Sequence, residues 1–368
     1  MKLRVICLVV LGLFIVSCKN DKKGNTDAKS GATKKWTGGL IYPEEVHFKS
    51  MKQITFGGDN AEAYWSFDDK QIIFQSNNKN WNVNCDQMFL MNVGETFKDK
   101  IPPMISTGFG RTTCAYFLPG NKEFVYGSTH LGGKECPPAP LRREGKYVWP
   151  IYETYDIFVA DLKGNITKQL TNNPGYDAEA TVSPKGDKIV FTSMRTGDLE
   201  LFTMNIDGTD VKQITSELGY DGGAFFSPDG TKLIFRSSRP KTEAEIKEYK
   251  DLLAEGLVQP TNMELYICNA DGSDLTQLTD LGNANWSPFF HLSGKKILFS
   301  SNFEAEKGFP FNLYMIDIDG KNLKRITHGE TFDAFPVFSN DGKKLIFSSN
   351  RNNGGGHDTN LFIAEWQD

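Results

Sequence analysis

An all-β fold, a six-bladed β-propeller closed by its own N-terminal strand, follows from three features of the sequence. One unit is written six times: a "PDG"-like turn, a short apolar run ending in an aromatic, a polar loop, a second apolar run, "DG", and a closing "QIT" or "QLT". Helix-type periodicity is confined to one segment, Thr242–Leu257. The sixth unit stops before its closing strand, and a spare copy of that strand, Lys52-Gln53-Ile54-Thr55, precedes the first unit. Self-similarity of this kind marks stacked or radial units, none of which can bury its apolar face alone.

The clearest copy, Tyr176–Thr215, sets the register. The aromatic ending the second strand recurs at Phe74, Tyr126, Phe191, Phe235, Phe299 and Phe347, at intervals of 52, 65, 44, 64 and 48 residues. The shortest interval is near the ~40–45 residues of a four-stranded blade. The longer ones hold insertions between the second and third strands. Third strands align at Met88–Met91, Ile157–Val159, Leu201–Met204, Leu265–Ile267, Leu313–Ile316 and Leu361–Ile363. They are short, rich in aromatic and β-branched residues, and bounded by Gly, Asp and Asn. Fourth strands are expected at Pro103–Thr107, Lys168–Thr171, Lys212–Thr215, Thr276–Thr279 and Lys324–Thr327. The N-terminal strand then completes the last blade and removes an open sheet edge. In the helical segment Thr242 and Glu245 form a capping box. Ile246, Tyr249, Leu252 or Leu253, and Leu257 give the apolar stripe, and Gly256 and Pro260 stop it. It reads as an insert in blade four, lying over the ring or offered to a partner.

Length alone, at 368 residues, allows two domains, but the repeat makes residues 44–368 one propeller. A net charge of −5 with no basic stripe excludes nucleic acid as a natural partner. Residues 1–17 read as an export signal: Lys2 and Arg4 precede an apolar stretch, Val5–Val16, too short to span a bilayer. Ile15-Val16-Ser17-Cys18 is similar to a bacterial lipobox with Cys18 as the lipidated residue; an ordinary signal peptide with an incidental cysteine is the alternative. Acyl chains on Cys18 would hold the protein at a membrane without a spanning segment. Residues 18–43 then carry the lipidated cysteine and a polar, flexible tether. No Asp follows Cys18, so an outer-membrane lipoprotein, facing the periplasm or the cell surface, is expected, and expected as a monomer. Export permits disulfides. Cys85, Cys114 and Cys136 fall on one face and Cys268 mid-strand. One bridge is expected among the first three, with Cys114–Cys136 preferred because it would pin the insert Leu131–Tyr152.

In a propeller the first strand of each blade lines the channel, and its entering loop shares a face with the loop between strands two and three. That face collects the variable loops, where function usually sits. Alignment puts Asn60, Thr112, Asp177, Asp221, Asn285 and Asp333 at one position, and Glu62, Cys114, Glu179, Gly223, Ser287 and Phe335 two residues on. The second set of loops adds His130, Arg195, Arg239 and Arg351. Arg111 and the aromatics Trp149, Tyr152, Tyr176, Tyr220 and Phe332 stand nearby. The candidate ligand-binding residues are Glu62, Arg111, His130, Asp177, Glu179, Asp221, Asn285, Asp333 and Arg351: acids, arginines and an aromatic rim suited to a charged peptide, a glycan or a chain terminus. A repeated Asp at a turn also caps backbone N–H groups and ties blades together, which is the structural alternative for Asp177, Asp221 and Asp333. Asp317–Gly320 is a hairpin turn, lacking the later ligands of a calcium loop. No G-x-S-x-G, H-E-x-x-H or triad pattern occurs. His130, His328 and His357 are the one set of imidazoles that could share the face and hold a divalent metal; otherwise no cofactor is expected.

"VSPKGDKIVFTSMRTGDLELFTMNIDGTDVKQIT" and "FSPDGTKLIFRSSR" resemble the TolB-type, WD40-like propeller repeat, over roughly residues 52–368. The resemblance implies the architecture. The chain departs from TolB itself, with a lipid anchor expected in place of an N-terminal α/β domain, and looks more like the anchored TolB-like propeller lipoproteins of Bacteroidetes-type bacteria. Oligogalacturonate lyases use a similar propeller with histidines and a metal at the mouth. Two functions are therefore expected to compete. One is an envelope binding module for a protein, peptide or glycan. The other is a metal-dependent polysaccharide lyase or hydrolase, with His130 as base, Glu62 or Glu179 as acid or ligand, and Arg111 neutralising a substrate carboxylate. A purely structural scaffold is the third.

Overall fold

The computed structural model describes residues 38–140 and 142–368. Cys18, the export signal and the first part of the tether lie outside the described residues. None of the described helices is long and apolar enough to cross a membrane.

Six antiparallel sheets form a ring. Their first strands are Asp59–Trp65, Thr112–Phe117, Asp177–Val182, Asp221–Phe226, Asn285–Phe290 and Asp333–Phe338. Each first strand touches those of both neighbouring blades, the sixth touching the first. Closure is as expected: the N-terminal strand Phe48–Gln53 pairs with Asn360–Trp366 as the outer strand of blade six.

The signature aromatics explain blade packing. Each is fully buried and faces an aromatic of the third strand: Phe74–Phe89, Tyr126–Phe158, Phe191–Phe202, Phe235–Tyr266, Phe299–Tyr314 and Phe347–Phe362. Ring centroids are 5.9–6.3 Å apart in all six. Such cross-strand aromatic pairs add to the burial that holds a sheet.

The closing "QIT/QLT" has an equally specific cause. The Thr hydroxyl accepts the N–H of the second residue of strand three: Thr171 from Ile157 (2.9 Å), Thr215 from Leu201 (2.9 Å), Thr279 from Leu265 (2.8 Å) and Thr327 from Leu313 (2.8 Å). Thr55 does the same for Leu361 (2.8 Å), so the spare N-terminal strand brings its own copy of the device. Because these threonines turn out of the ladder, the fourth strands end earlier than expected, at Gln169, Gln213, Gln277 and Arg325. In blade one the expected strand Pro103–Thr107 is reduced to a bridge between Phe89 and Met104. Pro102 and Pro103 have no N–H to extend the pairing.

The same hydroxyl donates to the residue opening strand three, Glu200 in blade three (2.6 Å). Thr215→Val keeps the shape but orphans the Leu201 N–H and loosens Glu200. A loss of about 1–3 kcal/mol is expected, read as a lower denaturant midpoint at unchanged slope. Burial, reinforced by Asp221 and Asp198 and opposed by the Thr215 hydroxyl, pushes the Glu200 pKa up to about 8. The folded state thus holds this proton more tightly than the unfolded chain. The stabilisation is complete below the ordinary carboxyl pKa and is lost as pH rises through about 8. The melting temperature of Glu200→Gln relative to wild type should therefore improve between pH 5 and pH 9; a constant difference would contradict this.

Two expectations need correction. The tether does not run free to residue 43: Leu40 and Ile41 pack on the core shared by blades five and six, and Arg351 donates to the Leu40 carbonyl at 2.9 Å. Its last residues are apolar (Leu40, Ile41, Tyr42) and find a hydrophobic seat. The disulfide joins Cys85 to Cys136, Cα–Cα 5.6 Å, and leaves Cys114 free and buried. Cys114 sits on an inner strand facing the channel, whereas Cys85 and Cys136 both lie in loops between second and third strands. The bridge still ties down the blade-two insert.

The helix forms at Glu243–Ala254 with the expected capping box: Thr242 Oγ1 accepts from Glu245 N–H, and Glu245 accepts from Thr242 N–H. It braces the blade-two insert. Leu257–Val258, just after it, pairs with Trp149–Pro150. Arg143 makes a two-pronged ion pair with Glu255 (2.8 and 3.0 Å), and Lys146 pairs with Glu248.

Candidate functional site

Every inner strand carries the same irregularity. Its register slips early in the strand, and one residue there, the third in five blades and the fourth in blade one, adopts a left-handed conformation. Those residues are Glu62, Cys114, Glu179, Gly223, Ser287 and Phe335, with φ between 45° and 60°. A bulge with one residue in this region re-aims a side chain out of the sheet's alternation. All six line one narrow neck on the ring axis. Four residues two positions further on, Tyr64, Tyr116, Phe225 and Phe289, interlock at centroid distances of 5.0–6.0 Å and form an apolar floor.

Above the neck lies a cavity of about 340 Å³. Glu62, Glu179, Arg236 and Phe335 form its base, Asp86 and Arg111 one side. Tyr155, Tyr176, Tyr220, Trp286 and Phe332 supply aromatic walls, and the blade-two insert lays Tyr147, Trp149 and Tyr152 against it. Trp149 is held by its pairing with the blade-four insert and by Trp286, 5.2 Å away.

The charges are arranged in pairs. Glu179 accepts from Arg236 Nη2 (2.6 Å), Tyr220 OH (2.7 Å), Gly223 N–H (2.8 Å) and Thr192 Oγ1 (2.9 Å). The Arg236 guanidinium stacks between Trp149 and Tyr220, 5.1 and 5.4 Å from the ring centroids. Glycine makes room for it: a Cβ on Gly223 would come within 2.5 Å of Arg236 Nη1, and one on Gly222 within 2.3 Å of Glu179 Oε2. Arg111 pairs with Asp86 and donates to Cys136 Sγ at 3.5 Å, so the disulfide backs this pair. Burial raises the Asp86 pKa against the pull of Arg111. Glu62 has no such cation. It accepts from the Cys114 N–H (3.2 Å) and thiol (3.0 Å), and burial shifts its pKa upward. Burial and the Glu62 and Glu179 carboxylates push the Cys114 thiol well above its usual range, so it is a poor nucleophile.

Three of the nine expected residues, Glu62, Arg111 and Glu179, reach this cavity, as do all five flanking aromatics. The other six do not line it. Asp177, Asp221 and Asp333 are completely buried and paired inside their own blades with Arg195 (3.2 Å), Arg239 (2.7 Å) and Arg351 (2.8 Å). Asn285 is bound by Ser301 Oγ (2.7 Å) and the Met263 carbonyl (2.9 Å). His130 is the blade-two counterpart of those arginines: it bonds Ser128 Oγ (3.0 Å) and lies tilted against the Phe158 ring (4.5 Å). The Asp–Arg pairs and the Asn285–Ser301 bond tie each inner strand to the end of its second strand, the role that a repeated Asp suggests. His130, His328 and His357 are not brought together: no group of three or more His, Cys, Asp or Glu side chains placed for a metal occurs among the described residues. Arg236, Asp86, Tyr147, Tyr155 and Trp286 escaped the sequence reading. The signal for Arg236 was present: the residue after the signature aromatic is Gln75, Gly127, Thr192, Ser300 or Ser348 in other blades, and the facing Gly222-Gly223 pair occurs only in blade four.

Residues 151–250 match the TolB beta propeller domain family. A TolB structure from Agrobacterium tumefaciens superimposes with a TM-score of 0.52, at 18% identity, over 84% of this chain and 91% of that one. An oligogalacturonate lyase solved in complex with manganese superimposes with a TM-score of 0.51, at 13% identity, over 84% and 90%. At such identities the likeness is one of fold. No curated protein matches the chain. Repeat and ring make this chain a six-bladed β-propeller, and residues 151–250 are similar to the TolB beta propeller domain.

Proposed function

We propose that the chain is a binding module of the cell envelope, exported by residues 1–17, anchored through lipidated Cys18, and holding its ligand in the loop-face cavity. The observation that carries this reading is the aromatic-walled cavity of about 340 Å³ whose charged groups are already fixed by partners. It is a scaffold-borne concave site of the size used for small or segmental ligands. Catalysis by two carboxylates is poorly served. The Glu179 oxygens are taken up by Arg236, Tyr220, Gly223 and Thr192, which leaves Glu62 as the one carboxyl open to the neck. His130, the base expected of a lyase, bonds Ser128 outside the cavity lining. An outer-membrane location facing the periplasm or surface, and an envelope protein, peptide or glycan as partner, accord with the leader and tether.

The test is capture from envelope extract by the full chain, compared with Trp149→Ala and Glu62→Gln. Retention should fall tenfold or more for Trp149→Ala. Capture unchanged in both variants, each with a native melting curve, would place the binding surface elsewhere.

A further inference from the structure

We propose that the cavity takes an uncharged saccharide segment, its ring stacked on Trp149 and Tyr152 and its hydroxyls shared between Glu62 and Arg236. The proposal rests on the cavity being the binding site.

Charge balance is the first ground. Asp86 faces Arg111 and Glu179 faces Arg236, so neither sign is left over in those pairs. An anionic ligand would meet Glu62, Glu179 and Asp86; a cationic one would meet Arg111 and Arg236. Either would bring a second desolvated charge beside groups that have already spent their partners. The unpaired carboxyl, Glu62, lies under a neck whose burial favours its neutral form.

Unmet hydrogen bonds are the second ground. Gln75 Oε1, Arg111 Nε and Arg236 Nε, all on residues lining the cavity, are buried with no partner, and so is Ser287 Oγ in the neck below. Donors and acceptors thus stand side by side. A sugar hydroxyl both donates and accepts, and can answer either kind. Leaving such groups empty costs free energy that a matching ligand recovers, and an analogue lacking the hydroxyl does not.

Shape is the third ground. Trp149 and Tyr152 are half-buried and present ring surface to the cavity, with fully walled Tyr155 and Tyr176 behind them. The C–H face of a pyranose is a flat apolar plate that lies on such a ring, while its edge carries the hydroxyls. The polar atoms sit at the base and the aromatic faces at the sides, as that geometry requires.

The experiment uses the full chain in a non-glycosidic detergent, with tryptophan fluorescence and calorimetry. The probes are neutral gluco-, manno- and xylo-tetraoses, tetragalacturonate, and a mixed set of tetrapeptides. At least one neutral tetraose should bind, at least tenfold weaker to Trp149→Ala, near wild type to Trp149→Phe, and with affinity unchanged by added salt. Tighter binding of tetragalacturonate or of peptides, or affinity that falls with salt, overturns the saccharide assignment while leaving the cavity as the binding site. Silence of the whole panel also overturns it; if extract capture is then insensitive to Trp149→Ala, the binding-module reading falls with it.

Discussion

Arg351→Ala should destabilise the ring by about 3–5 kcal/mol, the expected loss when one member of a buried ion cluster is removed. Arg351 is 3% exposed and lies between two carboxylates, Asp333 at 2.8 Å and Glu45 at 3.1 Å. It also donates to the Leu40 carbonyl and to Ser349 Oγ, and its guanidinium stacks on Phe347 at 5.2 Å. Truncation therefore strands two buried acids and frees the lead-in that carries the closing strand. Burial already pushes the Glu45 pKa up, with Arg351 opposing. Without the arginine this carboxyl takes a proton more readily, so the deficit of the variant should shrink from pH 8 to pH 5. Arg195→Ala is the control: that side chain is 22% exposed and serves one carboxylate, so its loss should be smaller. Denaturant midpoints at the two pH values decide it, and a deficit below ~1 kcal/mol would mean that water replaces the guanidinium.

Arg236→Ala should cost a similar ~3–5 kcal/mol, because it leaves Glu179 buried beside Tyr220 with no cation. Unlike Arg351, Arg236 is part of the cavity base, so ligand capture should vanish as well. Trp149 loses the cation stacked at 5.1 Å, and its fluorescence should change before any unfolding. Arg236→Lys does not rescue: an ammonium cannot lie flat between Trp149 and Tyr220 while donating to Glu179. Glu179→Gln should be milder, since Tyr220, Gly223 and Thr192 can still find an amide oxygen. Native stability with abolished capture in Arg236→Ala would mean that the ion pair serves binding alone.

The repeat made the ring, its closure and the capped helix legible, since each rests on local patterns that recur or on a short capping code. The candidate site was legible only in part. In a regular strand Asn60 and Glu62, or Asp177 and Glu179, would face the same way. The bulge breaks that rule, turning Glu62 and Glu179 to the axis while Asp177 stays among its own blade's arginines. Hydrophobic alternation carries no mark of such a slip. A different mark was available: Ser193-x-Arg195, Ser237-x-Arg239 and Ser349-x-Arg351 place each arginine at a fixed offset from its Asp, which speaks for an intrablade lock. The Cys85–Cys136 bridge depends on the path of a long insert, and spacing does not encode that path.

The neck also sets terms for change. Six positions share one left-handed backbone geometry and line the same axis, five with a side chain and Gly223 by leaving room for Arg236. Such a position disfavours Val, Ile and Thr, whose branched Cβ crowds the carbonyl there, and accepts Gly or a residue with an unbranched Cβ. Its occupants, Glu, Cys, Glu, Gly, Ser and Phe, obey that filter. The ring thus behaves as a turret with six interchangeable sockets: a new ligand preference can be installed one socket at a time, and strand pairing and blade closure need not move.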